Sequence, residues 1–194
     1  SAGTVKALDV CVQAFTKSGD GVIIQRPVYP PFMHVVEDNG RMILNNQLIR
    51  HTAEDPEGDL YYSIDFDNLE ELAARPEAKM FILCNPHNPV GRVWTADELE
   101  RMAQICMKHD VLIVADEIHG DLVCEGVTMR HMAQVAPDAR VITCTAVNKT
   151  FNLAGLAATN VFFSNAQDKA RFEEVRGFVE PNPFAISAVI AAYN

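Results

Sequence analysis

The sequence predicts an α/β fold, a mostly parallel sheet between two layers of helices in the three-layer α-β-α arrangement. Three observations predict it. Short apolar runs such as Val22-Ile23-Ile24, Met80 to Cys84 and Val111 to Ala115 alternate with stretches of helical periodicity. Those runs are apolar at every position rather than at alternate ones, as strands covered on both faces are. Polar segments with reactive side chains follow three of the runs, after Cys84, Ala115 and Cys144. Ligands of parallel sheets gather there, at the carboxyl ends of the strands.

In chain order, Val5, Leu8, Val12 and Phe15 recur at helical spacing, and Gly19-Asp20-Gly21 ends that helix before the strand Val22-Ile23-Ile24. Tyr29-Pro30-Pro31 turns the chain into a helix that stops near Asn39-Gly40, ahead of a second strand at Met42-Ile43-Leu44. Residues 45–64 read as irregular, with a polar, Pro- and Gly-containing stretch from His51 to Asp59. Asp65 is placed to N-cap a short helix from Phe66 to Ala74, and the buried strand Met80 to Cys84 follows. Thr95 and Glu98 have the spacing of a capping box, opening a helix to about His109 with Leu99, Met102 and Ile105 on one face. Val111 to Ala115, Val141 to Cys144 and Thr159 to Phe163 complete the strands, and residues 165–178 and 183–193 read as helices.

The length of 194 residues suits one domain with a sizeable core. Sixteen basic against twenty-six acidic residues give a net charge of −10, and no stretch concentrates Lys or Arg. Nucleic acid and anionic membrane are therefore poor partners. No apolar run approaches a membrane span. The five cysteines are dispersed, odd in number and never spaced as CxxC, which fits a reduced, cytoplasmic setting.

Three segments carry chemistry: Asn85-Pro86-His87-Asn88-Pro89-Val90-Gly91, Val114-Ala115-Asp116-Glu117-Ile118-His119 and Asn148-Lys149-Thr150-Phe151-Asn152. Taken singly, each has an ordinary alternative. Lys149 could be a solvent-facing loop lysine, Asp116 a carboxylate that starts a loop, and Asn88 part of an Asn-Pro turn. His87 could merely shape its loop, and His119 could line a pocket rim. Tyr29 could be any core or surface ring. Ala2-Gly3-Thr4 opens a helix, and helix N-termini bind phosphate through free N–H groups.

Together with Pro27-Val28-Tyr29-Pro30-Pro31-Phe32, Lys149-Thr150-Phe151-Asn152-Leu153-Ala154-Gly155-Leu156 and Glu180-Pro181-Asn182-Pro183-Phe184-Ala185, these segments resemble the class I/II aminotransferase superfamily of pyridoxal phosphate (PLP) enzymes, fold type I. The Asn-Pro-His-Asn-Pro-Val-Gly-Arg loop and Asp-Glu-Ile-His are most similar to its cystathionine β-lyase (C–S lyase) branch. The resemblance implies that Lys149 is the Schiff-base lysine and Asp116 the partner of the pyridine nitrogen. It further implies that Asn88 donates to the phenolic oxygen, with His119 nearby, that Tyr29 stacks on the ring, and that Gly3 and Thr4 cradle the phosphate. A lysine in that role needs partial burial or a positive neighbour to become neutral. Asn148 replaces the usual Ser of the branch, and Ala146 and Ala157 stand where aminotransferases often have a phosphate-binding Ser and Arg.

Family members are about twice as long. The resemblance therefore implies that residues 1–194 are the large PLP-binding domain, without an N-terminal segment and a small C-terminal domain. The arginine that grips the substrate carboxylate would lie outside, so the chain alone would not turn over substrate. The implied activity of the whole is α,β-elimination of cystathionine or another cysteine S-conjugate to pyruvate, ammonia and a thiol, in a homodimer. Aminotransfer on amino acids is the alternative, and a non-catalytic PLP-binding or regulatory domain a third.

Overall fold

The computed structural model describes residues 1–52, 54, 61–179 and 182–194. Most of the polar stretch between His51 and Asp59, and Glu180-Pro181, lie outside the described residues. The strands are β1 (Gly21–Ile24), β2 (Met42–Asn45), β3 (Ile49–Arg50), β4 (Tyr62–Ser63), β5 (Ala78–Cys84), β6 (Leu112–Asp116), β7 (Val141–Thr145) and β8 (Asn160–Phe163). The helices are α1 (Thr4–Phe15), α2 (Pro31–Glu37), α3 (Phe66–Ala73), α4 (Ala96–Lys108), α5 (Met132–Val135), α6 (Val147–Thr150), α7 (Ala166–Arg176) and α8 (Pro183–Ala192), with a 3-10 turn at Ala154–Leu156.

Six strands form one sheet in the order β2-β1-β5-β6-β7-β8, parallel except for β8, which runs antiparallel to β7. Side chains alternate between its faces. Ile23, Phe81, Leu83, Ile113, Ala115 and Val141 enter one core with α3, α4 and α5. Val22, Ile24, Met80, Ile82, Leu112, Val114 and Ile142 enter the other with α1, α2 and Phe172 of α7. Two cores on one sheet explain why the strands are apolar throughout.

The local signals act as their chemistry requires. Asp65 accepts from the Asn68 N–H at 3.0 Å, and Gly40 adopts φ 69°, in the left-handed region open to glycine. The Thr95 hydroxyl accepts from the Glu98 N–H at 3.2 Å while Glu98 Oε2 accepts from the Thr95 N–H at 2.8 Å. Thr95→Ala is expected to lower stability by about 1 kcal/mol, read as a lower urea midpoint with an unchanged slope.

The irregular reading of residues 45–64 is corrected by β3 and β4, which pair antiparallel as Ile49↔Ser63 and Arg50↔Tyr62. Two-residue strands are too short to show a period of two. The one-turn helices α5 and α6 escape sequence periodicity for the same reason.

Candidate active site

The sheet register brings the three chemistry-bearing segments together. Cys84 of β5 lies opposite Asp116 of β6, and Asp116 opposite Cys144 of β7. The loops after these strands therefore leave neighbouring strand ends at one height. The sheet also reverses its direction of growth at β1, which has β2 on one side and β5 on the other. Crevices of such sheets open at this kind of switch. The loop after β1 carries Tyr29, whose N–H donates to the Asn88 carbonyl at 3.0 Å. His87 Nε2 lies 3.0 Å from the Pro27 carbonyl, and its buried ring meets Trp94 edge-on at 5.6 Å. His87 thus fastens two loops together, the loop-shaping alternative.

Thr4, Tyr29, Asn88, Asp116, His119 and Lys149 line one cleft of about 530 Å³, its solvent-open part included. Gly3 does not line it; as the N-cap of α1, with φ 97°, it shapes the helix end behind Thr4. No side chain caps α1, so its first-turn N–H groups are available to an anion. The Thr4 hydroxyl, expected to face a phosphate, is 2.9 Å from the Thr159 hydroxyl and buried with it. A hydroxyl that donates to a partner can still accept, and one that accepts can still donate.

Ile118, Cys84 and Asn148 also line the cleft and escaped the sequence reading as site residues. Ile118 lies in the turn just after β6, where no strand or helix periodicity marks which side chain faces the cleft. Cys84 is more than the small hydrophobe its apolar run suggested. Its sulfur donates to the Pro86 carbonyl and accepts the Asn88 N–H, both at 3.4 Å.

Asp116 is buried, with the Ile118 N–H donating to its Oδ1 at 3.3 Å. Burial pushes its carboxyl up to about 7; the Ile118 N–H opposes this, the Glu117 charge adds to it and the Lys149 charge opposes it. A buried acid in that state is set to receive a cation. Glu117 is structural, as expected: buried, it accepts from the Met132 N–H at 2.9 Å and meets His131 Nδ1 at 2.6 Å. Burial, then the nearby charge of Lys149, lowers the pKa of His119.

Lys149 lacks partial burial, one of the two alternative conditions read for a neutral amine. It sits exposed on the single turn α6, which projects from the end of β7 to the cleft rim. The Asn148 Oδ1 beside it is buried without a hydrogen-bond partner among the described residues. Among the described residues no group of His, Cys, Asp and Glu could hold a metal ion, and no helix is long and apolar enough to cross a membrane. All five cysteines are free thiols, four of them buried.

The family model for aminotransferase class I and II matches residues 1–192. Cystathionine beta-lyase PatB of Bacillus subtilis is 43% identical, over all of this chain and 50% of its own length. Cystalysin from Treponema denticola, whose structure contains a pyridoxal 5'-phosphate cofactor, matches with TM-score 0.89 and 37% identity over 97% of this chain and 47% of its own. The PLP-bound C–S lyase of Staphylococcus hominis matches with TM-score 0.92 and 33% identity over 100% of this chain and 48% of its own. The chain spans about half the length of the curated relatives it matches.

Proposed function

The chain belongs to the class I and II aminotransferase family, and on that premise we propose that residues 1–194 form the PLP-binding large domain of a C–S β-lyase. The reaction is α,β-elimination of cystathionine or a related cysteine S-conjugate to pyruvate, ammonia and a thiol. One observation carries the reading: a single cleft gathers Lys149, buried Asp116, Asn88, His119, Tyr29 and Thr4.

The cleft's chemistry fits the cofactor. A buried carboxylate with a raised pKa suits a protonated ring nitrogen. The uncapped start of α1 leaves backbone N–H donors for a phosphorylated ligand. PLP, when bound, supplies an aldehyde that captures amines and a ring that withdraws electrons from the substrate's α-carbon.

The protein's own residues do the rest. Asp116 keeps the proton on the ring nitrogen. Asn88 would donate its amide to the phenolic oxygen, with His119 lining the same cleft. Tyr29, held at its backbone by Asn88, would cover the ring face. Thr4 and the free N–H groups of the α1 N-terminus, which Gly3 shapes as N-cap, would receive the phosphate. Lys149 Nζ would hold the cofactor, and its free amine would take the proton from the substrate's α-carbon.

A homodimer in the cytoplasm belongs to the same proposal. Four buried free thiols support a reducing setting, and the apolar side chains that α8 exposes (Phe184, Ile186, Ile190) support an interface there.

The test is pyruvate release from L-cystathionine with PLP and no keto acid, in the longer protein this reading implies. Pyruvate is expected. Family membership also favours aminotransfer. Its mark would be no pyruvate, but amino exchange once 2-oxoglutarate is added. Silence in both assays would favour a non-catalytic PLP-binding domain.

A further inference from the structure

Lys149 has little local structure to hold it. Helix α6 is one turn of four residues, closed by the Phe151 N–H to the Val147 carbonyl and the Leu153 N–H to the Asn148 carbonyl, both at 3.0 Å. A helix that short is not stable by itself. Its orientation must come from outside contacts, and among the described residues the one side-chain hydrogen bond it makes is donated to an acid on another loop.

That acid is Asp121, in the turn that carries His119. Asp121 Oδ2 accepts from the Thr150 hydroxyl at 3.0 Å and from the Tyr193 hydroxyl at 3.0 Å. Thr150 directly follows Lys149. Phe151, the next residue, meets the Tyr193 ring edge-on at 5.2 Å. One carboxylate oxygen therefore ties the lysine turn to the loop after β6 and to the residue that ends α8.

We propose that Asp121 is a positioning residue for Lys149: its bond to Thr150 fixes the lysine turn against the loop that carries Asp116 and His119, with Tyr193 as a brace. The carboxylate does not line the cleft. It acts by holding the Lys149 amine at a constant place relative to Asp116, and small misplacements of reacting groups are costly. The proposal rests on the reading of Lys149 as the cofactor-linking amine. A neutral amide suffices for the tether, because both hydroxyls converge on one oxygen and an Asn carbonyl can accept both.

Three variants test this, Asp121→Ala, the isosteric Thr150→Val and the conservative Asp121→Asn, with two readouts. The first is hydrogen exchange of the Phe151 and Leu153 amides without cofactor. Asp121→Ala and Thr150→Val are expected to speed it by about 3- to 10-fold, as the loss of one ordinary hydrogen bond does, and Asp121→Asn to restore most of the protection. The second is the pH midpoint of the visible absorbance of the protein–PLP complex, expected to move in the first two variants and to return toward wild type in Asp121→Asn. Unchanged exchange and an unchanged midpoint in both disrupting variants would overturn the proposal, and so would Asp121→Asn behaving like Asp121→Ala. A wild-type protein that forms no visible band with PLP would overturn the functional reading itself, a separate result from either variant outcome.

Discussion

Asp116→Asn is expected to stabilise the cofactor-free protein at pH 8 while weakening its hold on PLP. Burial raises the Asp116 carboxyl from its ordinary 3.8 to about 7. The folded state therefore binds this proton more tightly than the unfolded chain does. The stability so contributed is full below pH 4 and is lost as pH rises through about 7. At pH 8 the wild type bears a buried charge that Asn does not. The variant should then be more stable by on the order of 2 kcal/mol, or about 5 °C in Tm. The difference should close toward pH 4, where the carboxyl is neutral in the folded protein. With PLP present the order reverses, because Asn cannot pair ionically with a protonated ring nitrogen. Affinity should fall on the order of 10- to 100-fold. Urea titrations at pH 4 and pH 8, with and without PLP, read both effects. A variant less stable than wild type at pH 8 without cofactor would contradict the account of Asp116.

Lys149→Ala carries the other large effect. In the proposed reaction the amine is both the anchor of the cofactor and the base at the α-carbon. Its removal should cost on the order of 10³-fold or more in pyruvate release. Lys149→Arg should not rescue, since a guanidinium stays protonated and is a poor base or nucleophile. Stability should barely change, within about 0.5 kcal/mol, because the side chain is exposed. A loss of activity with an unchanged melting curve separates chemistry from folding. Wild-type rates in Lys149→Ala would assign the base elsewhere.

The same features decide how much of this was legible in the sequence. Doubly buried strands declare themselves as unbroken apolar runs, and the stop at Gly40 and the caps at Asp65 and Thr95 come from side-chain chemistry that acts within three residues. The cleft was legible because parallel strands of similar length end in register, so reactive loops far apart in sequence open side by side. Contacts across the chain were not. Nothing near Asp121 announces partners 29 and 72 residues away in Thr150 and Tyr193. The exposure of Lys149 follows from the direction in which a one-turn helix leaves β7, and four residues are too few to show that direction as a periodicity. Gly3 and Thr4 were read together as a phosphate cradle; that Thr4 lines the cleft while Gly3 is the N-cap of α1 is a distinction sequence adjacency does not carry.

Covalent capture of PLP tests the central claim most directly. The protein is mixed with PLP, reduced with borohydride, and examined by intact mass and peptide mapping. One reduced PLP adduct per chain is expected, on the peptide containing Lys149. The adduct should be absent from Lys149→Ala. An adduct on other lysines alone, or none at all under conditions where free PLP is reduced, would contradict the assignment of Lys149 and with it the PLP reading of the cleft.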